Sequence, residues 1–545
     1  MLTWHPMELE QPTLAMPQAL LAAGEHCRAG RFAQAESIGR EVLALDPDNA
    51  AAWHLLGVIA HQIGEIDAAV ELIGQALRIQ PSNPGYLSDL GNALADLGRI
   101  GEAERSYRDA LTLAPGYAPG HYNLGIALQS LGRPEEAERS YREAARLEPA
   151  YFEAHNNLGN LLKDCDRLDE AERSYRAALE IRPGAADAHN NLGIVLQMQG
   201  KRDEAERSYR QALSLAPVDP RIGLNCSILE LLNGDYAQGL QRYENRFLGG
   251  NEKVAGGFRR MLARLDAIQW WRGDDIAGRS LLVWTEQGFG DAIMMLRYLP
   301  HLKRRGAGRL AVACEPELIR TVRAMPGVDE VIPKEQPLAS GRFDFHCPVM
   351  SLPLRFATRL DTIPGNVPYL HAPAESCLSW ADRLARIDRP RVGLVWAGGG
   401  IFAEDRRRSI GPAAFARLLR VPRAGFVNLQ KGAAAEELRR LGPGIADWMD
   451  ECEDFLDTAA LVTNLDLVIS VDTAVAHLAG ALGRPVWLLC RFESEWRWLL
   501  GRDDSPWYPT MRIFRQAKRS DWDEVMARVA SALAAWTSAG GGRSA

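Results

Sequence analysis

Paired cysteines, long apolar runs and an excess of basic charge are all missing from this sequence, and each absence removes a class of function. The eight cysteines (Cys27, Cys165, Cys226, Cys314, Cys347, Cys377, Cys452 and Cys490) are scattered, and none forms a C-x-x-C pair. Such spacing fits neither a disulfide framework nor a zinc site, so a reducing compartment is expected. No uncharged apolar run reaches the ~18 residues a membrane span needs. The N-terminus, MLTWHPMELEQP, has no basic segment ahead of an apolar stretch. Neither a signal peptide nor a spanning helix is expected, and the cytoplasm is the expected location. Lysine and arginine number 63 against 70 aspartates and glutamates, a net charge of −7. That balance offers no basic face for nucleic acid. The HExxH, P-loop and GxSxG patterns are also missing. Asp-x-Asp occurs at Asp46/Asp48 and Asp164/Asp166, but both pairs sit inside the repeats described next, so no metal site is expected.

What is present is a period. Gly57, Gly91, Gly125, Gly159 and Gly193 recur every 34 residues, and Ser227 continues the series. Gly30, Gly64, Gly98, Gly132, Asp166, Gly200 and Gly234 form a second series, and Pro47, Pro81, Pro115, Pro149, Pro183 and Pro217 a third, at the same step. The string AERSYR recurs from Ala103, Ala137, Ala171 and Ala205. This is the tetratricopeptide (TPR) period, two helices per unit. In one unit Gly125 lets the first helix approach the second, where Ala137 is its small counterpart, and Tyr141 and Leu128 fill the remaining gap. Gly132 supplies the turn because glycine takes positive φ at a helix C-terminus. Pro149 stops the second helix because it lacks an N–H. Stacked units bury a shared core, so about seven helix pairs are expected to build a right-handed superhelix. Alternating Arg and Glu on these helices read as a solvated face.

The chain of 545 residues is too long for one core. The expected division is an N-terminal extension over 1–15, TPR repeats over 16–250, a linker over 251–279, two further domains over 280–375 and 376–537, and a disordered tail over 538–545. Past residue 250 the period fails, and apolar β-branched runs alternate with helical stretches. Ser280–Trp284, Leu310–Cys314, Arg391–Trp396, Leu467–Val471 and Val486–Cys490 read as buried strands. Such alternation implies parallel sheets covered by helices, hence two Rossmann-like domains. Ligands bind such sheets at the carboxyl ends of the strands.

Four loops follow strands. In the first, Gly288 and Gly290 let the backbone approach a ligand. Asp291 either caps the following helix or serves as a general base. In the second, Asp472 or Thr473 caps a helix whose first turn carries His477. Free N–H groups at that helix start suit a diphosphate, and Asp472 suits sugar hydroxyls. His477 reads equally well as a satisfied, half-buried histidine. The third loop, 397–410, holds three glycines and Arg406, Arg407 and Arg408, which suit phosphate or solvent. The fourth, Asn428-Leu429-Gln430-Lys431-Gly432, suits a nucleotide base, a phosphate, or an ordinary polar turn.

The stretch from Asp472 to Pro485 resembles the D-[ST]-x-x-x-H-x-A-x-A-x-G-x-P signature of glycosyltransferase family 9, the heptosyltransferase-like enzymes. Gly290-Asp291 resembles that family's N-domain loop. The whole chain looks like bacterial TPR proteins with a C-terminal glycosyltransferase-like region, an architecture similar to O-linked N-acetylglucosamine transferase. The resemblance implies an α-solenoid followed by an α/β GT-B fold. It implies inverting, metal-independent transfer from a nucleotide-diphospho-sugar, which is a co-substrate; no cofactor is implied. Asp291 would deprotonate the acceptor and Asp472 would contact the donor sugar. Thr473, His477 and nearby N–H groups would hold the diphosphate, and Arg408 would offset leaving-group charge. Gln287, Gly288, Gly290, Gln430 and Lys431 complete the expected donor site. Ala474 stands where these enzymes often have Gly.

A last series lies two residues before each repeat glycine: Asp89, Asn123, Asn157, Asn191 and Asn225. This position should face the concave groove, where an Asn ladder can bond a peptide backbone of any sequence. O-linked N-acetylglucosamine transferase has a similar ladder, which implies a polypeptide acceptor. Two rival readings stand beside this one: a TPR scaffold with a degenerate GT-B region, and a glycan-modifying enzyme whose repeats serve assembly.

Overall fold

The structure, a computed structural model, describes residues 16–249, 252–337, 341–399, 405–439 and 444–541. The expected extension over 1–15 and the last four residues of the expected tail, 542–545, lie outside the described residues, while Ser538 ends a helix. The chain divides into two compact units, one ending at Val195 and one beginning at Leu196.

In the first unit, helices of 13 and 14 residues alternate, as in Ala118–Ser130 followed by Pro134–Leu147. The repeat glycine is required by contact. A Cβ on Gly91, Gly125 or Gly159 would lie 2.5, 2.6 or 2.7 Å from the ring of Tyr107, Tyr141 or Tyr175. These tyrosines come from the paired helix and are buried. Their hydroxyls reach acceptors on the first helix: Tyr107 donates to Asn92 at 2.9 Å and Tyr175 to Asn160 at 2.7 Å. The turn between paired helices takes positive φ at Gly98 and Gly132 (75° and 71°), and Asp166 fills the same place at 65°. Aspartate is among the few residues that tolerate this region. The Arg/Glu pattern is more than a solvated face. Glu104 and Glu138 are largely covered, and each accepts from an arginine of the next repeat, Arg133 and Arg167, at 2.6 Å. The long side chains lie along the surface, which makes the carboxylates cross-repeat ties.

The second unit begins with helical repeats and ends with two sheets. Helices Arg202–Leu215, Pro220–Leu232 and Tyr236–Tyr243 belong to it. Tyr236 stacks on Trp507 and meets Trp496 edge-on, and the Trp507 indole N–H donates to its hydroxyl at 3.1 Å. These contacts fuse the last helical pair to the α/β region, so the division by contact falls at 195/196, not at 250/251. The expected linker over 251–279 is also structured. It contains the helix Glu252–Arg264, whose Phe258 and Met261 pack with Leu265 on Leu282, Trp284 and Ala311. Phe258, Met261 and Leu265 recur at helical spacing, a stripe obscured by the glycines just before it.

The first sheet is parallel, in the order β1-β5-β2-β3-β4. Its strands are β1 (Gln269–Trp270), β2 (Ser280–Trp284), β3 (Arg309–Cys314), β4 (Glu330–Pro333) and β5 (Phe345–Pro348). The second comprises β6 (Arg391–Val395), β7 (Gly425–Asn428), β8 (Ile445–Asp447), β9 (Leu467–Val471), β10 (Val486–Cys490) and β11 (Met511–Arg515). Its order, β11-β10-β9-β6-β7-β8, is the doubly wound one. Connections leave β6 toward one edge and β9 toward the other, which opens a crevice between them at the carboxyl ends. The closing helix Trp522–Ser538 covers one face with Val525, Met526, Val529 and Leu533. A helical repeat solenoid followed by GT-B-like parallel sheets is thus the observed fold. Among the described residues no helix is long and apolar enough to cross a membrane.

Candidate functional site

Two short helices bring the carboxyl ends of the sheets together. Phe289–Met295 follows β2, and Ala474–Ala481 follows β9. They touch through Gly290, where a Cβ would lie 2.7 Å from the His477 ring and 3.5 Å from the Ala474 backbone. Gly290 therefore serves the approach of one helix to the other. That contact places Asp291 from the first sheet beside Asp472, Thr473 and His477 from the second.

Asp291 is held by donors on both oxygens. Oδ2 accepts from the Gly288 N–H at 3.1 Å, and Oδ1 is paired with Arg497. The capping interaction foreseen for Asp291 is present, alongside an ion pair that was not foreseen. Burial pushes its carboxyl up, against the pull of Arg497 and the Gly288 N–H. Arg497 is itself buried, lies 4.8 Å over the Trp496 ring, and has Glu495 at 3.3 Å.

His477 is buried between Trp498 and Tyr508. Its Nδ1 lies 3.0 Å from the Tyr508 hydroxyl and its Nε2 3.8 Å from Asp472 Oδ1. Burial, together with Arg497, Arg297 and Arg408, holds the imidazole well below its usual range, so it is neutral near pH 7. The ring is thus anchored through Nδ1 on the Tyr508 hydroxyl, and its Nε2 edge faces the Asp472 carboxylate. Arg297 supplies a fixed positive charge beneath these rings, donating to the carbonyls of Trp507 at 2.7 Å and Met294 at 2.8 Å.

Neither Asp472 nor Thr473 caps the 474–481 helix through its side chain. Thr473 occupies the cap position, but its hydroxyl meets Ser470 at 3.0 Å. The first turn thus has no side-chain cap, which leaves its N–H dipole available to an anion. Arg408 spans the crevice between β6 and β9. It donates to the Asp472 carbonyl at 2.8 Å and is paired with Asp405. Gly398 passes so close that a Cβ would lie 2.5 Å from Asp405 and 2.8 Å from Arg408. Gly400 lies outside the described residues, and Arg406 has no described side chain.

Three expected donor-site residues are turned elsewhere. Gln430 is buried, and its Oε1 accepts from the N–H groups of Trp396 and Ala397 at 3.3 and 3.0 Å. It therefore braces the end of β6. The Lys431 ammonium is bonded to the Cys452 carbonyl. Gln287, at φ 62°, exchanges hydrogen bonds with the Tyr243 hydroxyl at 2.8 and 3.0 Å, tying the loop to the helical repeats. A buried strand end first needs its own backbone groups satisfied, and polar residues that follow it serve that need before any ligand.

The Asn ladder is largely engaged within the repeats. Asn123 donates to Asn92 at 2.9 Å, Asn157 to the Tyr122 hydroxyl at 3.0 Å, and Asn191 to Asn160 at 3.2 Å. Asp89 accepts from His54 or shares its proton at 2.8 Å. Asn225 belongs to the second unit and is half-buried. Among the described residues no group of three or more His, Cys, Asp or Glu is placed to hold a metal ion.

Residues 28–91, 85–114, 118–151 and 151–217 match tetratricopeptide repeat families. Residues 453–519 match glycosyltransferase family 9 (heptosyltransferase), a stretch that includes Asp472, Thr473, His477, Arg497 and Tyr508. Protein FlbA of Caulobacter vibrioides is 30% identical over 285 residues, covering 48% of this chain and 48% of its own. The chain thus spans about half the length of that curated relative. Among solved structures, MamA is 25% identical over 31% of this chain and 92% of its own, with a TM-score of 0.29. A Pseudomonas aeruginosa pilF structure is 22% identical over 39% of this chain and 94% of its own, with a TM-score of 0.36. The chain thus carries tetratricopeptide repeats within residues 28–217 and, in its C-terminal α/β region, a glycosyltransferase family 9 segment over 453–519.

Proposed function

We propose that this protein is an inverting glycosyltransferase that uses a nucleotide-diphospho-sugar. The observation that carries the reading is the Gly290–His477 contact, which sets Asp291 beside Asp472, Thr473 and His477 where the two sheets face each other. In the reaction the acceptor O–H gives its proton to Asp291. Its oxygen bonds to the anomeric carbon, and the bond from that carbon to the diphosphate oxygen breaks, its electron pair leaving with the diphosphate. Burial suits Asp291 to base work by raising its affinity for a proton. The uncapped helix start at Thr473 and the Arg408 guanidinium meet the negative charge that builds on the diphosphate. Asp472, beside neutral His477, is placed for sugar hydroxyls.

These residues favour a working enzyme over a degenerate scaffold, because the carboxylates, the histidine and the arginine are all present and oriented by their neighbours. A polypeptide acceptor is the preferred reading on the strength of the TPR repeats. The ladder amides contribute less than their spacing suggested, since Asn123, Asn157 and Asn191 each donate to a neighbouring repeat. No metal takes part in the proposed step, and the cytoplasm is the proposed site of action. The test is release of nucleoside diphosphate from a panel of UDP-, ADP- and GDP-sugars, with a CMP-sugar, which would release CMP, as the monophosphate control, by the purified full chain, with and without a denatured-protein acceptor. Acceptor-stimulated turnover of one donor is expected. A panel in which no donor is bound or consumed overturns the reading.

A further inference from the structure

We propose that Arg497 serves two anions in turn: the Asp291 carboxylate when the site is empty, and the diphosphate of the donor when it is full. The exchange frees Asp291 to act as a base. This inference rests on the nucleotide-diphospho-sugar reading above and adds a residue and a switch to it.

The pair poses a conflict that the exchange resolves. A carboxylate held by a buried guanidinium and a backbone N–H has both oxygens engaged. Such donors stabilise its charge and lower its appetite for a proton. Arg497 for its part is not fully used. It is 8% exposed, yet its Nε–H is buried with no hydrogen-bond partner. The neighbouring Trp498 indole N–H is in the same condition. Buried donors without acceptors are costly and uncommon, and two on consecutive residues of the short turn Trp496–Trp498 imply an absent acceptor. A guanidinium offers donors in a planar fork that fits phosphate oxygens as well as a carboxylate. Its position is fixed by the Trp496 ring beneath it and by Glu495, so it can change partner with little movement. It sits on the segment after β10, next to the β9 loop that offers the uncapped helix start.

Inorganic pyrophosphate is the probe, and the readout is calorimetric titration of the full chain. Asp291→Asn removes the competing charge and is expected to tighten pyrophosphate binding about tenfold, the size of one charge-assisted contact. Arg497→Gln is expected to weaken it by a similar factor, and Arg497→Lys by less. In the double variant the gain from Asp291→Asn should vanish. Affinity unchanged in Asp291→Asn overturns the proposal, as does a gain that survives loss of Arg497, or no pyrophosphate binding by any folded variant. The donor panel fails separately: a silent panel with the pyrophosphate pattern intact removes sugar transfer and leaves the exchange of anions standing.

Discussion

Asp291→Asn is expected to lower acceptor-dependent sugar transfer by about 10²- to 10⁴-fold, the range seen when a positioned general base is lost. Asn keeps the size of the side chain and can still accept from the Gly288 N–H, so the 289–295 helix should remain in place. What is lost is the proton acceptor. Binding of nucleoside diphosphate should tighten, because the substitution removes a negative charge that now occupies Arg497. The check is a split between kcat and ligand affinity, measured on the same preparation. Equal loss of both would mean that Asp291 is a structural cap alone.

Arg246→Met is expected to destabilise the second unit by about 3–5 kcal/mol, the range for breaking a buried ion pair from one side. Arg246 is 2% exposed and holds Glu286 with two hydrogen bonds, at 2.7 and 3.0 Å. It also reaches Ser351 at 2.8 Å and Glu244 at 2.7 Å. Glu286 accepts from the Met350 N–H at 3.1 Å. Burial pushes Glu286 toward its neutral form, and Arg246 opposes this. The substitution leaves that opposition absent and strands a carboxylate in the core between the last repeat helix and the loop that carries Asp291. Tryptophan fluorescence during denaturant unfolding reads this directly, since every tryptophan except Trp4 and Trp53 lies in the second unit. Adding Glu286→Leu should recover part of the loss, because an apolar pair needs no desolvation of charge. Unchanged unfolding in Arg246→Met would show that the network contributes nothing to stability.

The repeats were legible because each signal is local. The glycine opposite a tyrosine and the turn glycine recur at fixed offsets, and the contacts at Gly91, Gly125 and Gly159 show why no larger residue fits. The central strands were legible for the same reason: SLLVW, LVISV and VWLLC are short apolar runs buried on both faces. Three of the four edge strands escaped. β1 has two residues, β8 is half-buried throughout, and β11 alternates, so none carries a continuous apolar run.

In the candidate site, Asp291, Asp472, Thr473 and His477 are legible in the sequence because they closely follow strands. Arg408 could be found as part of an arginine run. Arg497, Trp498 and Tyr508 were missed because they reach the site from a short segment and a loop beyond β10, where only tertiary contact gives them meaning. One signal was available. A single arginine between two tryptophans in Glu495-Trp496-Arg497-Trp498 is an unusual neighbour for a strand end. For Gln430 and Lys431 the structure favours the polar-turn alternative, since their position after β7 says nothing about the backbone groups that engage them.

The central claim is that a nucleoside diphosphate group binds where the two sheets face each other. Hydrogen exchange of the full chain, with and without the nucleoside diphosphate of the donor that the panel selects, tests it most directly. The account predicts slowed exchange at the backbone N–H groups of 286–292, 397–399 and 472–478, with the first unit unchanged. Protection confined to the helical repeats, or none at these three loops under saturating ligand, would contradict it.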